Sequence, residues 1–384
     1  MNRQRYLSLD VFRGATVALM ILVNNPGSWS HLYSPLAHAP WHGVTLTDLV
    51  FPFFLFAVGN AMAFALPASN TSGWGYTRKI FKRTAWIFGL GLFLNLSPFV
   101  RWSADGELVW RSLDNLRWLG VLQRIALAYC AAALLLRHVP SRHVPWLVAG
   151  MLLIYWALCV TLGAAGDAYS LEGFFGTTID RQWLGVSHLY QGEGVAFDPE
   201  GLASTLPCLA QVLIGYLVGQ SLVNSTSSPR LVWHLVFLAV MLLLAGWAWA
   251  LVMPLNKKLW TSSYVLLSSG WAVVFLVMLI QTLERWRWTN PVTTFCEVFG
   301  SNALFIFVLS GFLPRVIALL RWQDGIAANG TPHYTQPLRW LHDSAIAPWF
   351  ADPRAGSLAY ALLLLFFYWL IAQQLFRRRI FIKV

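Results

Sequence analysis

Ten apolar runs, each near the roughly 20 residues that cross a hydrocarbon core, limit this chain more than any other feature. They fall at about 11–29, 46–67, 84–100, 118–137, 144–163, 203–222, 231–252, 262–283, 293–313 and 355–376. Lipid offers the backbone no hydrogen-bond partners, so runs of this kind span as helices. The expected fold class is an all-α integral membrane protein with about ten transmembrane helices. Composition excludes the soluble alternative: of 384 residues, 57% are hydrophobic and 11% charged, where about a quarter charged is usual for soluble domains.

An even number of spans returns the chain to its starting side, and the basic residues say which side that is. Cytoplasmic loops carry an excess of Lys and Arg. With the N-terminus inside, sixteen of the 27 Lys and Arg lie on the cytoplasmic face, from Arg3, Arg5 and Arg13 to Arg377, Arg378, Arg379 and Lys383. The acids divide the other way, and only Asp10, Glu284 and Glu297 face inward. Both termini are therefore expected in the cytoplasm, and the net charge of +11 records topology and not a surface for nucleic acid. The three longer polar connectors, about 101–117, 164–202 and 314–354, then share the outer face. No repeat or soluble segment stands apart, so residues 1–384 read as a single polytopic domain.

The first apolar run has no small-residue cleavage site behind it and reads as a retained helix, not a removable leader. Cys130, Cys159, Cys208 and Cys296 each sit in or beside an apolar stretch, without Cys-x-x-Cys spacing, and read as small buried residues.

Polar residues concentrate in a few places. The first loop, NNPGSWSHLYSPLAHAPWHGVTLTDLVFPFF, holds His31, His38 and His42 beside Asn24, Asn25 and Asp48. Asp48 opens the second span six residues after His42, so a carboxylate and an imidazole can share a pocket, an arrangement that orients a general base. His38 and His42 stand four apart like two helical zinc ligands, but Pro40 interrupts any helix and no Glu intervenes, so no metal is expected. Arg124, with Gln123 beside it, lies some seven residues into the fourth run, a depth that demands a partner or a wet cavity. Asp198 and Glu200 in FDPEGLASTLP suit either a helix-capping loop or a site for a cationic amine. In MPLNKKLWTSS, Asn256, Lys257, Lys258 and Trp260 place two cations and an indole at the outer interface, and Lys258 reads as an interfacial anchor or as part of a site. Arg13 lies three residues from Asp10, in pairing distance on one helix face. The run Arg78, Lys79, Lys82, Arg83 suits a positive-inside helix start or an anionic cofactor.

Several segments together resemble the heparan-alpha-glucosaminide N-acetyltransferase family of transmembrane acyltransferases: SLDVFRG followed by VNNPG, HAPWHGVTLTDLVFPFFLFAVG, LRWLGVLQRIALAY, FDPEGLASTLP, LNKKLWTSSYVL and FGSNALFIFVLS. They run in the family's order from residue 8 to about 310. The resemblance implies an acetyl group taken from acetyl-CoA on the cytosolic side and passed to a glucosamine-type amine on the far side. It places the active-site histidine on His38 and a functional asparagine on Asn24; the role of Asp48 is inferred from charge and proximity. The matched FGSNALFIFVLS stretch adds Asn302 to the candidate binding residues Arg13, Gln123, Arg124, Asp198, Glu200, Asn256, Lys258 and Trp260. The segment between Asn24 and His38 is longer than in the animal members, which leaves the acceptor open among amino sugars and oligosaccharides. The expected setting is a bacterial inner membrane, with the site opening toward the periplasm and a homodimer compatible with the family. The rival readings are a transporter of amino sugars or muropeptides and an O-acetyltransferase acting on a polysaccharide hydroxyl.

Overall fold

The computed structural model describes residues 6–65, 73–103, 105–224, 228–326 and 332–382; Arg3, Arg5 and Lys383 of the basic face lie outside them. The helices are α1 (Leu7–Asn24), α2 (Val50–Ala65), α3 (Gly73–Leu96), α4 (Val121–His138), α5 (Val144–Leu162), α6 (Phe175–Leu184), α7 (Thr205–Val223), α8 (Pro229–Ala250), α9 (Ser262–Leu279), α10 (Pro291–Ser301), α11 (Ala303–Ile317), the short α12 (Pro337–Trp340) and α13 (Pro353–Arg377). Two small antiparallel hairpins interrupt them, β1 (Val100–Trp102) with β2 (Leu108–Trp110), and β3 (Trp322–Ile326) with β4 (Pro332–Thr335). The protein is an all-α membrane protein.

Among the described residues, eight helices are long and apolar enough to cross a membrane, or nine if α10 and α11 count as one broken span. The ten expected runs differ at two places. The third begins earlier than its apolar stretch: α3 takes in Arg78, Lys79, Lys82 and Arg83, and these charges dilute its first half. The ninth is no single rod, because α10 and α11 meet at an angle of 81°. Asn302 sits at the break, and its side chain is engaged elsewhere: it donates to the Ile380 carbonyl (3.0 Å) and accepts from the Ile382 N–H (2.8 Å). The four described cysteines are free, and three are buried.

Packing is closest where α2 meets α7, α8 meets α9 and α1 meets α10. Glycine makes the first of these possible. A Cβ on Gly59 would lie 2.0 Å from the Val212 carbonyl oxygen, and one on Gly215 would lie 2.2 Å from that of Phe56. Small residues let membrane helices approach backbone to backbone, where lipid gives no hydrophobic drive to associate. By contrast, α5 and α8 turn Trp146, Ile154, Trp233, Phe237 and Trp247 outward, an apolar surface suited to lipid.

Contacts between connectors gather at two ends of the bundle. At one, Tyr6 Oη donates to the Leu222 carbonyl (3.1 Å), the Ser8 N–H and hydroxyl donate to Glu284 (2.9 and 3.0 Å), and Gln220 donates to Ser141 (3.0 Å). At the other, the Trp41 indole donates to the Tyr169 carbonyl (2.9 Å) and the Trp102 indole to that of Leu319 (3.1 Å). Gly43, whose φ of +109° suits a residue without Cβ, turns the chain so that its N–H meets the Leu255 carbonyl at 2.8 Å.

Gly215→Ala is expected to destabilise the protein by about 1–3 kcal/mol, the usual cost of overpacking, read as a lower thermal-unfolding midpoint in detergent. Gly89→Ala, where an added Cβ meets nothing within 4 Å, serves as the control; equal midpoints for the two variants would contradict the proposed close approach.

Candidate active site

The site is built around a buried carboxylate. Asp48 stands in the 3-10 turn that leads into α2 and is 1% exposed. One oxygen accepts from the Ala39 N–H, the Thr45 N–H and the Thr45 hydroxyl, each at 3.0 Å. The other faces His38 Nδ1 at 2.7 Å. Behind it, the buried Tyr264 hydroxyl donates to the Asp48 carbonyl at 2.5 Å. An ionised carboxylate only accepts, so this geometry places the imidazole proton on Nδ1 and leaves the Nε2 lone pair for chemistry.

Lys257 completes the group. Its Nζ lies 3.1 and 3.4 Å from the two His38 nitrogens and 3.6 Å from Asp48 Oδ1, the oxygen that faces His38. Burial pulls the Lys257 ammonium below the ordinary lysine range, opposed by the pull of the Asp48 carboxylate. The loop that delivers it is over-determined: Asn256 accepts from the Leu259 N–H with its side chain (2.9 Å) and from the Thr261 N–H with its carbonyl (3.1 Å). That turn holds Trp260 at φ +55°, a strained value for a bulky residue.

These groups open on a cavity of about 320 Å³, lined by Asn24, His38, Asp48, Arg117, Glu200, Lys257 and Trp260 among others. Asn24, the last residue of α1, thus meets His38 and Asp48 in one space. Lys258 also lines it, with Nζ bound to Glu193 (2.7 Å) and the Pro40 carbonyl (3.1 Å). Asp198 is 2% exposed and Glu200 borders the cavity; both are taken by Arg117, which donates to Asp198 at 2.9 and 2.6 Å and to Glu200 at 2.5 Å. The two carboxylates hold the Arg117 guanidinium firmly in its charged form, against the cost of burial.

The remaining candidates lie apart. Arg124 is fully buried; it donates to the Gly201 carbonyl (3.1 Å) and to the Ser204 hydroxyl, and lies over the Trp260 ring at 5.3 Å. It braces the 201–204 turn against the back of Trp260 and does not line the cavity. Gln123 packs on α3 at Gly91. Asn256 shapes its own loop, and its side chain faces His42 at 3.4 Å. Arg13, paired with Asp10, and Asn302 lie at the opposite end, where both border a second cavity of about 430 Å³ with Arg83, Ser301 and Ile382. Among the described residues, no group of three or more His, Cys, Asp and Glu could hold a metal ion.

Sequence reasoning missed Arg117 and chose Lys258 over Lys257. Adjacent lysines in a tight turn point to different sides, so only one can meet the histidine, but nothing in the local sequence says which. Arg117 lies in a polar connector where nothing local marks it.

Two measurements probe these electrostatics. Arg117→Met leaves buried Asp198 without its cation and is expected to cost about 3–5 kcal/mol, far more than Lys258→Met at its partly exposed pair, about 0–1 kcal/mol; comparable losses in unfolding midpoint would contradict this. Burial pushes the Asp180 carboxyl up to about 7, the Leu202 N–H opposing and the Asp198 charge adding to it. A raised carboxyl stabilises the fold fully below the unfolded value of about 4, and that contribution is lost as pH rises through about 7. Asp180→Asn should therefore match the parent protein at about pH 4 and exceed its unfolding midpoint at about pH 8; a difference independent of pH would refute the assignment.

A family model described as heparan-alpha-glucosaminide N-acetyltransferase, catalytic, matches residues 5–247. The human heparan-alpha-glucosaminide N-acetyltransferase is 28% identical over 360 residues, covering 79% of this chain and 52% of that protein. The mouse protein of the same name is 26% identical over 370 residues, covering 80% and 53%. The chain thus spans about half the length of these curated relatives. With the matched region holding α1 to most of α8, and with His38, Asn24 and Asp48 in one cavity, the chain belongs to the heparan-alpha-glucosaminide N-acetyltransferase catalytic family.

Proposed function

We propose that the protein is a membrane-embedded acetyltransferase that moves an acetyl group from acetyl-CoA to the amine of an amino sugar. The observation that carries this reading is the His38 imidazole, held through Nδ1 by a buried carboxylate, at a cavity it shares with Asn24. The relatives bear an N-acetyltransferase name, and the residue types present suit that chemistry. His38 Nε2 takes the proton of the acceptor nitrogen as that nitrogen attacks the thioester carbonyl. Asn24 supplies an amide donor for the oxygen that gains charge. Asp48 keeps the ring in the reactive tautomer.

The second cavity fits the donor. Arg13, paired with Asp10, and Arg83, over the Tyr129 ring at 5.0 Å, bring positive charge to its wall, and Phe54, Leu122 and Ile125 give it apolar lining. Phosphates suit the first set and a pantetheine arm the second. Val121 borders the site cavity and Leu122 the donor cavity, so the start of α4 divides the two. In this reading the basic end faces the cytoplasm and the loop-rich end the periplasm of a bacterial inner membrane. The aromatic walls of the site, Trp41, Tyr190 and Trp260, suit the faces of a sugar ring.

The break between α10 and α11 is the one feature that favours a transporter, since broken helices line transport sites. Here the break is filled by the chain's own C-terminal segment, through Asn302.

The test is the mass of the product formed by purified protein from acetyl-CoA and a panel of amino sugars. His38→Ala is expected to lower turnover by about 10²–10⁴-fold while the protein still inserts. Near-normal turnover in that variant would overturn the site; uptake of labelled sugar into proteoliposomes without acetyl-CoA would replace transfer with transport.

A further inference from the structure

The chain contains five lysines, and two of them, adjacent in sequence, have different fates at the site. Lys258 is held by Glu193 and the Pro40 carbonyl. Lys257 instead borders the same cavity with its Nζ against both His38 nitrogens, at 3.1 and 3.4 Å. Any acetyl group delivered to His38 arrives within reach of that amine. Lys79 and Lys82 are exposed near the start of α3 and do not line the site cavity.

We propose that Lys257 is an internal acyl acceptor: when no amino sugar occupies the cavity, its Nζ takes the acetyl group from the CoA thioester and becomes an acetyl-lysine. The inference rests on the proposed acetyl-CoA chemistry for the donor, and on the geometry of Lys257 for the rest. The Lys257 ammonium first gives a proton to His38. The neutral amine attacks the thioester carbonyl, a C–N bond forms, the C–S bond breaks, and the leaving thiolate recovers a proton from His38. The net products are an amide on Lys257, free CoA thiol and one proton. Burial in the wall of the cavity, which disfavours the ammonium, aids the first step, and held proximity to the reacting centre aids the second.

The modification has a consequence for the site. An acetamide carries no charge, so the cation 3.6 Å from Asp48 is lost, and the added group stands beside the imidazole. Acetylated protein is then expected to transfer slowly, so that a shortage of acceptor silences the enzyme and acceptor protects it.

The experiment incubates the purified protein with acetyl-CoA carrying an isotope-labelled acetyl group, without and with a saturating amino sugar, and locates the label by mass spectrometry of peptides. The expected result is label on Lys257 at least about tenfold above Lys258, Lys79 and Lys82, as held proximity implies. The label should fall when acceptor is present, fall in His38→Ala, and vanish if the protein is unfolded before acetyl-CoA is added. Lys257→Arg, checked for folding by its unfolding midpoint, should lose it. Transfer to a sugar with no label on Lys257, or with equal label on Lys258, overturns the inference and leaves the proposed function standing. Label on Lys257 without transfer to any amino sugar supports the inference and removes the amino-sugar reading. Neither label nor transfer overturns both.

Discussion

A carboxylate buried at the end of a lipid-embedded bundle has to be surrounded by donors, and around Asp48 that requirement brings two separate loops together. Ala39 and Thr45 satisfy one oxygen, His38 the other, and Lys257 stands near the oxygen that faces His38. The 36–47 loop lies over the start of α2 and the 253–261 loop meets it there, each also held by bonds of its own, such as Trp41 to the Tyr169 carbonyl, Gly43 to the Leu255 carbonyl and Leu259 to Asn256. Removing an acceptor of this kind would orphan several groups at once, which is why buried polar networks specify structure when fully satisfied.

The same rule governs the rest of the loop-rich end. Arg117 joins Asp198 and Glu200, Lys258 joins Glu193, and Arg124 joins the 201–204 turn. The charges of this end are thus largely engaged with one another, and the cavity they enclose is shaped by ion pairs rather than lined by free ones. Toward the cavity stand the His38 ring, 43% exposed in its side chain with Lys257 Nζ beside it, and Asn24 at the tip of α1.

Much of the site could be read from sequence, and for a physical reason. His38 and Asp48 are ten residues apart, so one loop and one helix start bring them together. Asp198 and Glu200 were also visible as a pair, but their partner was not. Arg117 lies 81 residues from Asp198, and Arg124, deep in an apolar helix, was the more conspicuous cation. Lys257 is 219 residues from His38, and only the fold of the Asn256–Thr261 turn selects it over Lys258.

The sequence by itself determined the solvent and the class of fold, because hydropathy is a sum over neighbours along the chain and needs no partner to be counted. It also determined where polar groups enter the bundle, since a charge in an apolar run stands out locally. The tertiary structure alone decided which of two lysines meets the histidine, which arginine neutralises the acidic pair, and where the ninth apolar run breaks. Those outcomes depend on distances between residues far apart in the chain. The 81° turn at Asn302 exists alongside a C-terminal segment whose backbone completes that side chain, and no reading of residues 293–313 alone contains it.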